Sequence, residues 1–313
     1  MKLRIATRTS QLARLQTELV IRKMRQIQPD LDVEIVTFTT TGDRTAGPLS
    51  RVGGKGLFTA ELEEALLTGR VDLAVHSAKD MPAEMPEHLE IAATPPRADA
   101  RDAIVLAEGL AWPDLPGELK IGTSSPRRAV MIVREYPDVR VAPIRGNVET
   151  RLSHVLPSPG DLDAVILAMA GLERTGLLRK YTGRIVALDP RRFIPAAGQG
   201  TLVVQSRTRA ELPAELCALL QGLTDDTTET CLHAERSVIR GLGAGCSSPV
   251  AVFVSPPVES DETWTARGFV GCRRTGRCIQ QVCSEPEADL AANRLLERLL
   301  QGGAKRLLRH GSD

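Results

Sequence analysis

Short β-rich segments alternate with helical segments along residues 1–210, and this alternation restricts the fold more than any other feature of the chain. The first strand is predicted at LRIAT (3–7), and Ser10 is placed to cap the helix that follows it. The apolar face of that helix is predicted to carry Leu12, Leu15, Leu19 and Met24. Further strands are predicted at 33–38, 71–77, 103–107, 119–124, 139–144 and 164–168. The pattern predicts an α/β architecture with parallel sheets and crossover helices.

Two Pro-containing segments interrupt the alternation, TPPRADARDAIV (94–105) and RRFIPAAGQGTLVV (191–204). Two such crossings indicate a domain inserted within another and joined to it by a double hinge. Because 313 residues exceed what one hydrophobic core usually serves, several domains are expected. We predict domain 1 at residues 1–96 and 198–216, and domain 2 at 101–194.

The last hundred residues have a different pattern. A helical segment (227–242) is followed by three consecutive strand-like segments and then by a Leu-rich helix near 287–301. The strand-like segments are 249–254, 263–270 and 277–283. Consecutive strands flanked by helices predict a small α+β domain with an antiparallel sheet, domain 3, at residues 220–313.

Charge and hydropathy exclude several kinds of partner. The net charge of +1 gives no overall attraction to nucleic acid or to an anionic membrane, and we expect neither as a partner. No stretch reaches the apolar length of a membrane span. Arg4 and Arg8 stand where a signal peptide needs apolar residues, so the protein is expected to be cytoplasmic.

Six cysteines are present, and in the cytoplasm their thiols stay reduced. Cys272, Cys278 and Cys283 lack the CxxC pairing and the nearby histidines of a zinc site, so no metal is expected. Cys246 differs from the others because it lies in a glycine-rich loop, GLGAGCSSPV (241–250). A thiol there is either an incidental loop residue or an attachment point on a flexible arm.

Polar side chains follow four of the predicted strands, and ligands of α/β sheets bind beyond the carboxyl ends of strands. These residues are Arg8 and Ser10, then His76, Ser77, Lys79 and Asp80, then Thr123, Ser124, Ser125, Arg127 and Arg128, and finally Arg145, Gly146, Asn147 and Arg151. Guanidinium groups and helix N-termini both favour anions. The set therefore predicts a site for a multiply charged anion.

Each feature also has a simpler interpretation. A single loop arginine is usually a solvated charge, and Asp80 could do no more than pair with its neighbour Lys79. His76 is expected to be a structural histidine with its hydrogen bonds satisfied. VGGKGLF (52–58) lacks the spacing of a phosphate loop and is interpreted as a mobile loop. Three of the four strand ends carry arginine and the other carries Lys79, which favours binding, and Asp80 would be the one acid available for proton exchange in a basic cleft.

Eight ordered motifs resemble the successive signatures of the porphobilinogen deaminase family, also called hydroxymethylbilane synthases. They are RIATRTS, VGGKGLFTAELE, AVHSAKDMP, GTSSPRR, IRGNVETRL, ILAMAGLER, PAAGQG and GAGCSSP, and they span about residues 3–305. The resemblance implies a monomeric transferase of tetrapyrrole and heme biosynthesis. Such an enzyme condenses four porphobilinogen molecules head to tail, releases ammonia, and frees linear hydroxymethylbilane by hydrolysis, without a metal.

The resemblance also implies a fold and a cofactor. Two α/β lobes similar to those of periplasmic binding proteins would surround a cleft, and the small third domain would carry a dipyrromethane cofactor. The motif match places the thioether attachment of this cofactor on Cys246. The substrate would be the small molecule porphobilinogen.

By the same match, Asp80 would be the catalytic carboxylate, assisting ammonia loss and stabilising the cationic azafulvene. The cofactor would be bound by Cys246, Ser77, Lys79, Asp80, Thr123, Ser125, Arg127, Arg128, Arg145 and Gly146. The substrate would be bound by Arg8, Ser10, Arg145, Arg151, Arg174 and Gln199, and Arg51, Lys55 and Phe58 would lie in the mobile loop.

Two other classes of function fit less of the sequence. A non-catalytic, two-lobed anion-binding module would explain the arginines but would leave Asp80, Cys246 and the third domain without a role. A redox-active thiol protein would need a resolving cysteine near Cys246, and the sequence has none close by.

Overall fold

The computed structural model describes residues 1–44, 56–156, 160–245, 248–258 and 262–309. Its strands are β1 (Lys2–Arg8), β2 (Asp32–Phe38), β3 (Leu73–Ser77), β4 (Leu89–Ala93), β5 (Asp102–Leu106), β6 (Lys120–Gly122), β7 (Arg140–Ala142), β8 (Ala164–Ala168), β9 (Ile185–Ala187), β10 (Leu202–Arg207), β11 (Val250–Ser255), β12 (Trp264–Gly271) and β13 (Cys278–Glu285). Its α-helices are α1 (Gln11–Ile27), α2 (Thr41–Arg44), α3 (Ala60–Leu67), α4 (Pro126–Glu135), α5 (Val148–Leu152), α6 (Met169–Arg174), α7 (Leu177–Lys180), α8 (Ala214–Leu223), α9 (Asp226–Leu242), α10 (Ala288–Gln301) and α11 (Ala304–Arg309).

The chain divides into two compact units. The first unit comprises Met1–Ala98 and Thr201–Leu232, and the second comprises Asp99–Gly200 and His233–Asp313. The boundaries of the three predicted domains stay a prediction. Among the described helices, none has both the length and the apolar character needed to cross a membrane.

The first unit is built on a five-stranded sheet in the order β2-β1-β3-β10-β4. β1 pairs in parallel with β2 and β3, whereas β10 is antiparallel to β3 and β4. Helix α1 begins after Ser10, whose hydroxyl caps it by accepting a hydrogen bond from the backbone N–H of Ala13. The predicted cap is confirmed.

The buried face of α1 includes the predicted Met24 but otherwise differs from the predicted one. Val20, Ile21 and Met24 pack against apolar side chains of the sheet, and Gln16 and Thr17 are buried with them. The predicted leucines Leu12, Leu15 and Leu19 are half-buried at the side of this face. The helix is therefore rotated by about one residue, or 100°, from the predicted orientation, and this rotation turns the polar Gln16 inward.

The second unit contains a five-stranded sheet with the equivalent order, β7-β6-β8-β5-β9. β6 pairs in parallel with β7 and β8, and β5 is antiparallel to β8 and β9. The two sheets thus share one topology, in which three parallel strands are followed by one antiparallel strand and an outer fifth strand. The prediction of two α/β lobes is confirmed.

The prediction of purely parallel sheets was wrong, because β5 and β10 run against their neighbours. Each of these two strands follows one of the Pro-containing crossing segments instead of a crossover helix. The rule that a strand–helix–strand unit returns in parallel therefore does not apply to them. All five residues of β5 are buried, and the run of apolar residues after Asp102 is compatible with either strand direction.

The second unit also contains a three-stranded antiparallel sheet in the order β11-β12-β13. Leu295 and Leu299 of α10 pack on β12 at Gly268, where an added Cβ would lie 2.8 Å from Leu299 Cδ1. The missing side chain therefore allows close packing of helix and sheet. This confirms the predicted small α+β arrangement near the C-terminus.

Candidate active site

In the first unit, three of the predicted site residues meet at the carboxyl ends of neighbouring strands. Arg8 ends β1, Ser77 ends β3, and Asp80 lies in the short 3-10 helix Ala78–Asp80 that follows. Because β1 and β3 are parallel neighbours, their carboxyl ends lie at one edge of the sheet. The predicted convergence of these residues is therefore present in the fold.

The Arg8 guanidinium is held on several sides. It donates to Asp43 from Nε, at 3.2 Å from Oδ2, and from Nη2 to Oδ1. Its Nη1 lies 4.0 Å from Asp80 Oδ2, and its Cζ stands 4.3 Å from the centre of the Phe58 ring. One guanidinium thus faces two carboxylates, so these three charged groups have an excess of negative charge.

Asp43 is positioned by its own neighbours and was not found from the sequence. Its Oδ2 accepts hydrogen bonds from the backbone N–H and the hydroxyl of Thr40, at 3.2 and 2.7 Å. Burial opposes ionisation of Asp43, but hydrogen bonds from Arg8 and Thr40 outweigh it and hold the pKa of this carboxyl below its ordinary value. The segment TTGDR has no apolar period, so nothing in the sequence distinguished this aspartate from a solvated loop residue.

A small pocket lies at this edge of the first sheet. It is lined by Arg8, Ala13, Gln16, Phe58, Val75, His76, Ser77 and Asp80. Gln16 reaches it from α1 and exchanges hydrogen bonds with Ser77, at 3.0 Å from Nε2 to Oγ and 3.2 Å from Oγ to Oε1. Gln16 reaches the pocket because it lies on the buried face of α1.

His76 does not have the satisfied hydrogen bonds that were predicted. Its Nε2 is buried and has no hydrogen-bond partner among the described residues. Burial lowers the pKa of His76 to about 4, so the ring is neutral at pH 7. The pocket therefore contains a neutral imidazole in addition to the charged groups of Arg8 and Asp80.

In the second unit, the strand ends carry the second predicted group. Thr123 and Ser125 follow β6, and the Ser125 hydroxyl caps α4 by accepting a hydrogen bond from the backbone N–H of Arg128 at 3.4 Å. Gly146 follows β7 with φ +98°, and an added Cβ would lie 2.6 Å from Thr150. Arg151 Nε donates to the Gly146 carbonyl at 2.9 Å, so this turn requires glycine and is tied to the following helix.

Arg127 and Arg128, assigned to the cofactor from the family motifs, are held by a carboxylate of the chain itself. They are 3% and 6% exposed, and both guanidinium groups bind the carboxylate of Asp102, which is fully buried. Gln199 joins the same group and donates from Nε2 to Asp102 Oδ1 at 2.8 Å. The structure therefore brings three predicted site residues onto one carboxylate that the sequence analysis did not single out.

Arg174 ends α6 in a different environment. Its Nη2 donates to the Gly200 carbonyl at 2.6 Å, and no ion pair among the described residues includes it. Burial lowers the pKa of Arg174 to about 10, with Glu173 acting in the opposite direction. The group remains protonated at pH 7, and a half-buried guanidinium without an ion pair is suited to bind an anion.

Comparisons with known proteins identify the family. A family model described as porphobilinogen deaminase, dipyromethane cofactor binding domain, matches residues 3–214. Porphobilinogen deaminases from Syntrophus aciditrophicus (strain SB) and Xylella fastidiosa (strain 9a5c) are 41% and 40% identical to this chain. The alignments cover 99% and 98% of this chain and the same shares of the two relatives. The chain belongs to the porphobilinogen deaminase family.

A similar protein from Syntrophobacter fumaroxidans (strain DSM 10017 / MPOB), also named porphobilinogen deaminase, is 46% identical over 79% of this chain and 78% of its own length. Among solved structures, the periplasmic aliphatic sulphonate binding protein SsuA from Escherichia coli is similar with a TM-score of 0.39 and 17% identity. That alignment covers 76% of this chain and 69% of SsuA.

Some residues assigned from the family motifs have no described environment. Cys246, Arg51 and Lys55 lie outside the described residues. Phe58, assigned to the same loop as Arg51 and Lys55, is described and lies against Arg8.

The described residues also include cysteines, which are candidate metal ligands. Free thiols are present at Cys217, Cys231, Cys272, Cys278 and Cys283. A group of three or more His, Cys, Asp or Glu side chains able to hold a metal does not occur in the described part of the chain.

Proposed function

We propose that this family member is an active porphobilinogen deaminase, a transferase of porphyrin biosynthesis. It would condense four porphobilinogen molecules head to tail, release ammonia at each step, and free linear hydroxymethylbilane by hydrolysis. The observation that carries the proposal is the position of Asp80, a carboxylate that lines a pocket beside Arg8. A carboxylate repels an anionic ligand, so a simple anion-binding module would gain nothing from it.

The chemistry of the substrate explains this carboxylate. Porphobilinogen carries an aminomethyl group, an acetate and a propionate on a pyrrole ring. When ammonia leaves, positive charge develops on the ring, and the ring N–H remains a hydrogen-bond donor. Asp80 would accept that N–H and stabilise the charge, helped by the excess of negative charge that Asp43 maintains around Arg8.

The neutral and polar groups of the pocket would orient the ring. Ser77 and Gln16 already exchange hydrogen bonds and offer both donors and acceptors. His76 would stay neutral through the reaction at pH 7, because its pKa is about 4. It would therefore contribute a hydrogen bond from its unpartnered Nε2, and proton transfer would fall to Asp80.

The carboxylates of the substrate and of the growing chain need cationic partners. Arg174 is a half-buried guanidinium without an ion pair among the described residues, and it is the best placed of these partners in the second unit. Arg145 precedes Gly146 in the turn after β7, and Arg151 donates to that turn. We propose that they bind the same class of group. In the first unit, Arg8 and Ser10 would bind substrate carboxylates. In the second unit, Gln199 would contribute to this binding through the network around Asp102.

The dipyrromethane cofactor implied by the family fits these residues. It carries an acetate and a propionate on each of its two rings, and the buried cationic groups of the second unit suit such carboxylates. We propose that Cys246 holds it covalently and that its contacts are Ser77, Lys79, Asp80, Thr123, Ser125, Arg127, Arg128, Arg145 and Gly146. When bound, the cofactor supplies the nucleophilic pyrrole carbon to which the first substrate is added.

Intact mass under denaturing conditions tests the proposal. The purified protein should exceed its sequence mass by two porphobilinogen units less two ammonia, and peptide mapping should place the increment on residues 241–250. Cys246→Ser should remove the increment, while Cys217→Ser, a change at a half-buried thiol, should keep it. An unmodified protein that does not consume porphobilinogen would support the binding-module alternative.

Two further expectations accompany this proposal. The cytoplasmic location and the monomeric state inferred from the sequence and the family stay predictions. Size-exclusion chromatography with light scattering would test the second.

A further inference from the structure

Asp102 occupies the edge of the second sheet where the predicted anion site lies. It is the first residue of β5 and pairs with Ala168, the last residue of β8. Because β5 is antiparallel to β8, the start of β5 lies beside the carboxyl ends of β8 and of its parallel neighbour β6. The reversal of β5, which the sequence did not predict, is what places a carboxylate among the arginines.

The contacts of Asp102 fix both guanidinium groups. Oδ2 accepts from Arg127 Nη1 at 2.6 Å, and Oδ1 accepts from Arg127 Nη2 at 3.1 Å. Oδ1 also accepts from Arg128 Nε and Nη2, at 3.0 and 2.8 Å. Each arginine is thus bound at two points by a carboxylate with no exposed surface. Two-point contacts set the plane of a guanidinium as well as its position.

Neighbouring acceptors complete this arrangement. Arg127 Nη1 donates to the Ile194 carbonyl at 2.7 Å, and Arg128 Nη1 donates to the Ile166 carbonyl at 2.9 Å. Gln199 accepts from Arg128 Nη2 at 3.4 Å. Three of the guanidinium N–H groups then have no acceptor among the described residues: Arg127 Nε–H, one on Arg127 Nη2 and one on Arg128 Nη1.

The charge of this cluster is also incomplete. Two guanidinium groups share one carboxylate, so a positive charge remains in a site that is more than nine-tenths buried. Burying an uncompensated charge costs free energy that a structural ion pair would avoid. One additional carboxylate would neutralise the cluster, and the remaining N–H groups are the donors available to it.

We propose that Asp102 is a positioning residue for carboxylate recognition, orienting Arg127 and Arg128 so that the pair receives one carboxylate of the pyrrole chain. The proposal rests on the proposed function, because it takes the ligand from that reaction. It goes beyond the assignment made from the family motifs, in which Arg127 and Arg128 bind the cofactor and Asp102 has no role. Asp102 touches neither cofactor nor substrate and acts through the two guanidinium groups.

Asp102→Asn keeps the shape of the side chain and removes the charge that orients the arginines. We expect it to fold, and to show a rate of pyrrole addition per cofactor-loaded molecule about 10- to 100-fold below wild type. The fraction of molecules that carry the cofactor mass increment should also fall. Asp102→Glu keeps the charge, moves it by one methylene, and should recover part of both quantities.

Asp99→Asn is the matched control. Asp99 lies three residues away and forms a bidentate ion pair with Arg101, but among the described residues no hydrogen bond or ion pair joins it to Arg127 or Arg128. Its loss should leave the cofactor fraction and the rate per loaded molecule unchanged. A difference between the two variants would therefore report on the arginine pair and not on the loss of any ion pair from this segment.

Several outcomes would overturn the proposal. If Asp102→Asn melts at a lower temperature but adds pyrroles at the wild-type rate per loaded molecule, Asp102 is purely structural. The same conclusion follows if neither the Asn nor the Glu variant folds. Failure of the proposed function would look different, because wild-type protein would then carry no mass increment and consume no porphobilinogen.

Discussion

Asp43 and Arg8 form a two-point ion pair at the carboxyl end of β1, in which Arg8 Nε and Nη2 donate to the two oxygens of Asp43. The third nitrogen, Nη1, is left facing Asp80 at 4.0 Å. A guanidinium that already has a carboxylate partner neutralises a second one only weakly. Asp43 therefore protects the negative charge of Asp80, which the proposed chemistry requires.

Asp43→Asn should release Arg8 toward Asp80. The catalytic carboxylate would then be partly neutralised, and we expect the rate of condensation to fall about tenfold, since one charge-assisted hydrogen bond changes partners. Single-turnover measurements on cofactor-loaded protein would show the change. The control is Asp72→Asn, which breaks a similar two-point ion pair with Arg4 on the same strand, outside the pocket. Equal loss of rate in both variants would contradict the explanation.

The Asp43 ion pair should also appear in the pH dependence of stability. The pKa of Asp43 is lowered in the folded state, so its contribution is complete above the ordinary pKa of about 4 and is lost as the pH falls further. The difference in unfolding free energy between wild type and Asp43→Asn should be constant from about pH 7 to 5, on the order of 1 kcal/mol, and should shrink below about pH 4. Urea titrations at several pH values measure this difference. A difference that grows as the pH falls would rule out the ion pair as its origin.

The sequence predicted the ends of β1 and β3 to within one residue because the apolar run stops at a polar residue, at Arg8 and Ser77, whereas β6 and β7 end two residues before their predicted ends. Strand direction was not predictable, because a run of buried apolar residues such as that in β5 is compatible with a parallel or an antiparallel strand. Asp102 was overlooked because, after ADAR, it looks like part of a charged linker. Its burial depends on the antiparallel direction of β5, which was not predicted. Asp43 and Gln16 depend on tertiary contacts and on a one-residue rotation of α1, which local patterns do not determine.

Arg174 should show opposite effects on stability and on function. Its guanidinium is partly desolvated and lacks an ion pair among the described residues, so Arg174→Gln should leave the melting temperature unchanged or raise it. Binding of substrate carboxylates should weaken, with kcat/KM falling about tenfold or more. Arg179→Gln, at an exposed position on α7, is the control for loss of a positive charge. Strong destabilisation by Arg174→Gln without loss of activity would show that Arg174 serves the fold.

Substitution of Asp80 distinguishes an enzyme from a binding module most clearly, because only an enzyme needs this negative charge. Asp80→Asn preserves the shape of the side chain and its position beside Arg8 but removes the charge. The variant should still assemble the cofactor and bind pyrroles, because the cationic groups of Arg174 and of the Arg127–Arg128 pair are untouched. Condensation should slow by about 10²–10³, the usual cost of losing one preorganised charge partner in a transition state. Asp80→Glu, which keeps the charge but displaces it, should retain more activity.

The measurement is single-turnover condensation on molecules that already carry the cofactor, so that a defect in loading is not mistaken for a defect in chemistry. If Asp80 stabilises the charge that forms as ammonia leaves, the rate should fall while the affinity for porphobilinogen stays the same or rises, because one repulsive carboxylate has been removed. That opposite movement of rate and affinity distinguishes a transition-state role from a binding role. A near-normal rate in Asp80→Asn would mean that the negative charge must come from elsewhere, and Asp43, held against the same guanidinium, would be the next carboxylate to test.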